Sequence, residues 1–228
     1  MDTEKKSWLY HRWLLLGHRL EEMNNHIAIK KSLIDKWWQI LDAHYSEPHR
    51  FHHGWDHIYE GLIEFDEVAH LFASPALAEL AWFFHDAVYQ LANEPGQSNE
   101  FLSVKLNISF CQECRLKSVP MSLIWSTKHD EKRLDKLTPD EQLICSIDLA
   151  ILGQPPLRYL AYAHGIRQEY KSVPLAVYRT ERAKIMEQFL QRDQLFPAVY
   201  FADKYEAQAR DNLAAEIKLL QSGEFPEN

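Results

Sequence analysis

The stretch Ser74-Pro75-Ala76-Leu77-Ala78-Glu79-Leu80-Ala81-Trp82-Phe83-Phe84-His85-Asp86 decides how the rest of the chain is read. Ser74 followed by Pro75 has the form of a helix N-cap with proline at the first helical position, where a missing N–H leaves no hydrogen bond unmade. The run beyond it is apolar enough for a core, yet it delivers an imidazole and a carboxylate. Burying such groups is expensive unless something binds them. On a helix His85 and Asp86 point ~100° apart, so both can reach a single ion at the centre of a bundle.

Helical spacing continues on either side. Leu9, Trp13, Leu16 and Leu20 predict a helix over 7–22, and Ile34, Trp37, Trp38 and Leu41 predict one over 27–45. Further helices are expected over 52–72, 98–115, 120–128, 139–151, 156–170, 175–191 and 197–221, with Asn93-Glu94-Pro95-Gly96 as a turn. Thr138-Pro139-Asp140-Glu141 has the pattern of a capping box. The apolar run from Ile144 to Leu152 fits a buried helix or a buried strand by periodicity alone. With only 7 glycines, and 10 prolines placed as punctuation, the expected fold is all-α. It is read as one domain over residues 1–228, an N-terminal helical extension (1–45) on a core (46–228) that carries the site.

Composition narrows the function classes. A hydrophobic fraction of 46% and a charged fraction of 25% are those of a globular protein. A net charge of −8 argues against neutralising an extended nucleic-acid backbone, although a small phosphate held beside a metal is compatible with it. No apolar run reaches the ~18 residues of a spanning helix, and a signal-peptide core is missing from the first residues. The 3 cysteines cannot all pair within one chain, so a reduced, cytoplasmic setting is expected. Cys111 and Cys114 form a single Cys-x-x-Cys with no second pair to complete a zinc site, and they read as structural thiols.

The histidines supply the chemistry. His44, His49, His52, His53 and His57 crowd one stretch, and His53 and His57 stand one helical turn apart. Asp148 interrupts the second apolar run. Taken singly, each histidine reads as a satisfied core residue and Asp148 as a cap or an ion-pair partner. Together they give the order His…His-Asp…Asp, a nitrogen and oxygen donor set suited to a divalent ion. Manganese, zinc, iron or cobalt all fit such donors.

The segment Phe51-His52-His53-Gly54-Trp55-Asp56-His57-Ile58, with Phe84-His85-Asp86 and Ile147-Asp148-Leu149, resembles the HD-domain superfamily of metal-dependent phosphohydrolases. A bacterial family of predicted HD phosphohydrolases is closer still. The similarity to it runs through Glu47-Pro48-His49-Arg50-Phe51-His52-His53, Phe84 to Tyr89, Asn99-Glu100, Thr127-Lys128-His129, Asp148 to Gly153 and Ile166-Arg167-Gln168-Glu169-Tyr170. It extends from about Tyr45 to the Ala209–Leu213 segment, and departs at His52, where that family more often has tyrosine. The His53…His57 spacing is also similar to an element of cyclic-nucleotide phosphodiesterases.

The resemblance implies an HD-type helical bundle with additional N-terminal helices. It implies His57, His85, Asp86 and Asp148 as metal ligands, with Asp86 bridging if two ions are bound, and His53 as proton donor to the leaving group. The ion would be manganese, zinc, iron, cobalt or magnesium. Arg50, Lys128, Arg167 and Arg182 are candidates to hold phosphate oxygens, Arg50 foremost. His129 reads as a substrate-facing or orienting histidine or a ligand to a second ion, and Glu100 as an orienting carboxylate. The expected activity is hydrolysis of a small phosphoester, a nucleotide among the candidates, by a cytoplasmic enzyme whose aromatic residues leave a homodimer open. Two other readings stand beside it: a di-iron oxygenase on the same ligands, and a non-catalytic metal-containing binding protein.

Overall fold

The computed structural model describes residues 2–91, 97–129, 136–223 and 225; the turn expected at Asn93-Glu94-Pro95-Gly96 lies outside them. Among the described residues the chain is all helical, with no strand. Ten α-helices follow in order: α1 (Thr3–Met23), α2 (Lys31–Tyr45), α3 (Trp55–Val68), α4 (Pro75–Phe84), α5 (Asn99–Glu113), α6 (Met121–Ser126), α7 (Pro139–Leu149), α8 (Pro156–Glu169), α9 (Leu175–Leu190) and α10 (Val199–Ser222). The run left open as helix or strand is helical. It forms the end of α7 and a 3-10 turn at Ala150–Gly153. The chain divides into two compact units, Met1–Ile144 and Cys145–Asn228, with α7 running across the division.

In the first unit the helical stripe read from the sequence is the buried face of α1: Leu9, Trp13, Leu16 and Leu20 are all at most 1% exposed. Trp13 packs its ring against Phe83, Phe84 and Phe110, and Trp37 reaches Phe84 and Phe110, so α1, α2, α4 and α5 share one aromatic core. The Trp13 indole N–H donates to the Ile34 carbonyl at 2.9 Å, satisfying its polar atom inside that core. The N-terminal helices are thus part of this packing. Helix α4 is buried from Ala78 to Phe84, including Glu79, as expected of a helix apolar on every side. Glu79 is only 2% exposed and sits between Arg12 (2.9 Å) and Arg19 (2.6 Å) of α1.

Local signals hold where partners are local. The Thr138 N–H donates to Glu141 Oε2 at 2.8 Å and the Glu141 N–H to Thr138 Oγ1 at 3.4 Å, which is the reciprocal capping box. Pro75 takes the first position of α4, but the Ser74 hydroxyl donates to the Met23 sulfur instead of capping the helix. Helix α4 also stops one residue short of His85. That residue is its C-cap, and Asp86 lies in the turn beyond. Likewise α3 begins at Trp55, so His52 and His53 precede it in a turn and His53 does not share a helix face with His57. Gly54 marks that boundary, taking the N-cap position in an extended conformation.

In the second unit α10 lies along α9 and the 3-10 turn. Gly153 is needed there, because a Cβ on it would come within 2.4 Å of Tyr205. A cluster of Ala163, Ile166, Tyr178, Ala183, Leu220 and Phe225 forms part of the core. Within this unit Arg182 pairs with Glu216 at 2.8 Å, and Glu216 also accepts the Tyr159 hydroxyl.

Candidate metal centre

Two helix ends bring the first three donors together. His57 is the third residue of α3 and His85 the C-cap of α4; they are 5% and 0% exposed. Their Nε2 atoms are 3.0 Å apart. Asp86 Oδ2 stands 3.3 Å from His85 Nε2 and 3.6 Å from His57 Nε2. All three donors belong to the first compact unit, and Asp148, near the end of α7, belongs to the second.

The protonation of His85 follows from its other nitrogen. Nδ1 lies 2.8 Å from the Trp82 carbonyl oxygen. A carbonyl only accepts, so Nδ1 carries a proton, and in the neutral ring Nε2 is then the nitrogen whose lone pair faces His57 and Asp86. Fixing a ligand imidazole through its far N–H is the usual support of a metal-binding histidine. Donors sharing one ion at ~2.1 Å stand roughly 3.0–3.4 Å apart, and the three spacings of 3.0, 3.3 and 3.6 Å fall at or near that range. Two imidazoles and a carboxylate, those of His57, His85 and Asp86, therefore fit a divalent ion in spacing and in chemistry, and the set could hold one.

Trp82 supports both histidines. Its ring stacks on His85 (centroids 4.2 Å apart, planes at 21°) and lies 5.2 Å from that of His57, while its N–H donates to the Ile58 carbonyl at 3.0 Å. In the sequence Trp82 reads only as part of an apolar run; its position three residues before His85 is the one available signal.

The other sequence candidates divide. His53 stacks on Tyr89 with centroids 4.0 Å apart, and its ring centroid lies 6.0 Å from that of His57. His52 is buried, its ring 4.9 Å from His57 and 4.8 Å from His53. Arg50 has a fully buried side chain committed to Glu47 and to three backbone carbonyls. Arg167 bonds the carbonyls of Tyr170 and Val173, closing the end of α8, and Arg182 is spent on Glu216 and Tyr162. Burial foremost holds the Tyr162 hydroxyl above its ordinary pKa; Arg182 opposes it, and Glu216 and Asp148 add smaller upward pushes. Lys128 is exposed just beyond α6, and His129 follows it with a left-handed backbone (φ 55°), outside the set of His57, His85 and Asp86. Glu100 lies in the first turn of α5, with Oε2 buried and without a hydrogen bond among the described residues.

Among the described residues no helix is long and apolar enough to cross a membrane. Comparison of the chain with protein-family models, curated proteins and solved structures gives no match.

Proposed function

We propose that this protein is a metal-dependent phosphohydrolase of the HD type, acting on a small phosphoester, with nucleotides as the first class to test. The observation that carries the reading is the convergence of His57, His85 and Asp86, whose facing atoms stand 3.0 to 3.6 Å apart; Asp148 is the fourth ligand that the sequence resemblance implies. When bound, a divalent ion supplies Lewis-acid polarisation of a phosphoryl oxygen and a water acidic enough to attack near neutral pH.

The chain's own residues do the rest. His57 and His85 would hold the ion through ring nitrogens, and the carboxylates of Asp86 and Asp148 would balance its charge. Trp82 keeps the two rings from turning, which preserves the spacing that binding requires. His53, next to this set and outside it, is suited to hand a proton to the departing oxygen. Its stack on Tyr89 holds the ring's orientation.

The test is elemental analysis of the purified protein beside Asp86→Ala, followed by a phosphoester screen with the ion so identified. A transition metal in the wild type, lost from the variant, together with metal-dependent release of phosphate, is the expected result. Metal with no hydrolysis across nucleotides and sugar phosphates would overturn the phosphohydrolase reading. No metal, even after incubation with manganese, zinc and iron, would overturn the centre itself.

A further inference from the structure

Directly after His85 the chain leaves helix and runs without regular structure from Asp86 to Gln90. Loop backbone still needs hydrogen-bond partners, and here side chains provide them in unbroken order. The Asp86 carbonyl accepts from Arg50 Nη1 at 2.6 Å and the Ala87 carbonyl from Arg50 Nη2 at 2.9 Å. Val88 accepts from the Ser103 hydroxyl at 3.4 Å, Tyr89 from His49 Nε2 at 3.0 Å and Gln90 from Asn99 Nδ2 at 3.1 Å. Ser103 and Asn99 also accept the N–H groups of Val88 and Gln90. Five consecutive carbonyls are each held by a side chain, and Arg50 holds the two nearest the ligand.

Arg50 reaches further. Its Nη1 also bonds the His53 carbonyl at 3.0 Å, and its Nε bonds Glu47 at 2.8 Å, which sets the plane of the guanidinium. The side chain is 0% exposed and its guanidinium lies 5.2 Å from the Tyr45 ring and 5.7 Å from that of Tyr89. One buried group thus ties the turn carrying His53 to the segment carrying Asp86.

We propose that Arg50 is a positioning residue that sets Asp86 for ion binding by clamping the carbonyls of Asp86, Ala87 and His53. The proposal rests on the reading of Asp86 as a metal ligand. It replaces a phosphate contact as the work of this arginine, because four of its five N–H donors are already engaged, one with Glu47 and three with backbone carbonyls.

The experiment compares the full-length wild type with Arg50→Ala, Arg50→Lys and, as a matched control, Arg210→Ala. Arg210 is a clamp of the same construction: Nε bonds Glu206, and its other nitrogens bond the carbonyls of Leu190, Arg192 and Asp193. Cobalt(II) affinity and visible spectrum are measured by titration, and amide hydrogen exchange is followed over 86–91, with and without added guanidinium ion. Loss of the clamp is expected to weaken cobalt binding about 10- to 100-fold and to speed exchange in that segment. Arg50→Lys should lose less, guanidinium should restore part of both signals in Arg50→Ala, and Arg210→Ala should leave cobalt affinity alone.

If Arg50→Ala does not fold, Arg50→Lys decides, since it keeps the charge and loses the fork. Unchanged cobalt affinity in a folded Arg50 variant overturns the proposal, whatever the exchange shows. So does an equal loss of affinity in Arg210→Ala, which would make the effect one of general stability. A wild type that binds no cobalt overturns the metal reading and the positioning role with it. In that case the exchange data still decide whether Arg50 orders the segment.

Discussion

The Trp82 indole occupies the space beside α3 that any side chain at position 61 would need: a Cβ on Gly61 would stand 1.8 Å from Trp82 Cζ2. Trp82 is 0% exposed and stacked on His85, so it has nowhere to retreat. Gly61→Ala is therefore expected to destabilise the protein by about 1–3 kcal/mol through overpacking and to weaken metal binding with it. Gly17→Ala is the comparison. There the added methyl meets the flexible end of Ile34 at 3.1 Å, and the gain in helix propensity offsets the crowding. Urea unfolding should separate the two, Gly17→Ala lying near the wild type; equal losses would show that Trp82 can yield.

Glu79 poses a different question, because its burial at 2% is tolerated only through its two arginines. Arg12 is further held by both oxygens of Asp66, at 2.6 and 2.7 Å. Removing one partner of a buried pair leaves the other charge uncompensated. Glu79→Ala should accordingly cost about 3–5 kcal/mol, while Asp66→Ala, at an exposed carboxylate, should cost less than about 1 kcal/mol. Denaturant midpoints measure both, and a small effect at Glu79 would mean that Arg12 finds solvent on its own.

Sequence and structure part company according to how far away a residue's partner lies. The capping box at Thr138 was legible because both groups belong to the same turn. The stripe on α1 was legible because helical spacing and burial coincide. His57, His85 and Asp86 could be picked out because each is a polar residue in or beside an apolar run. What could not be read is what those donors lean on. Arg50 finds its carbonyls 36 and 37 residues away, and nothing local separates a clamp from a phosphate-binding arginine. The end of α4 was misplaced for a related reason. His85 keeps helical dihedrals as C-cap, while the side chains that draw off the following carbonyls come from distant segments.

Acid should reveal the junction of α1, α2 and α3. Burial pushes the Asp42 carboxyl upward, but Lys6 (2.5 Å), the Trp55 N–H (2.8 Å) and the Ser46 hydroxyl (3.1 Å) outweigh it and hold the group below its usual range. A carboxylate depressed in the folded state contributes stability that is complete above its unfolded pKa, roughly 4. That contribution is lost as pH falls through the lower folded value. Asp42→Asn should thus be less stable than the wild type near neutrality, and the gap should narrow below about pH 4. Thermal unfolding across that window measures it; a gap independent of pH would assign the loss to packing.

Cys111, Cys114 and Cys145 are all buried, and among the described residues none is in a disulfide. Burial pushes the first two thiols up to about 12, so neither is a thiolate in mildly alkaline buffer. Thiolate is the reactive form. A disulfide reagent should find no fast-reacting thiol in the native protein and all three after unfolding in concentrated guanidinium. Fast reaction of a native thiol at position 111 or 114 would contradict the packing around the end of α5.

His53 separates the part of the centre that binds from the part that turns over substrate. It precedes α3, lies outside the set of His57, His85 and Asp86 and spends a ring face on Tyr89. His57, four residues on, places Nε2 3.0 Å from that of His85. His53→Ala should therefore retain metal at wild-type stoichiometry. If its imidazole protonates the leaving group, hydrolysis should fall by about 10²- to 10⁴-fold. The loss should be greatest for alkyl phosphoesters, whose poor leaving groups need the proton, and small for p-nitrophenyl phosphate, whose leaving group departs without one. His57→Ala should lose the metal and both activities together. Metal content and the ratio of the two rates decide the matter: metal lost from His53→Ala would make it a ligand, and equal loss on both substrates would leave it no part in proton transfer.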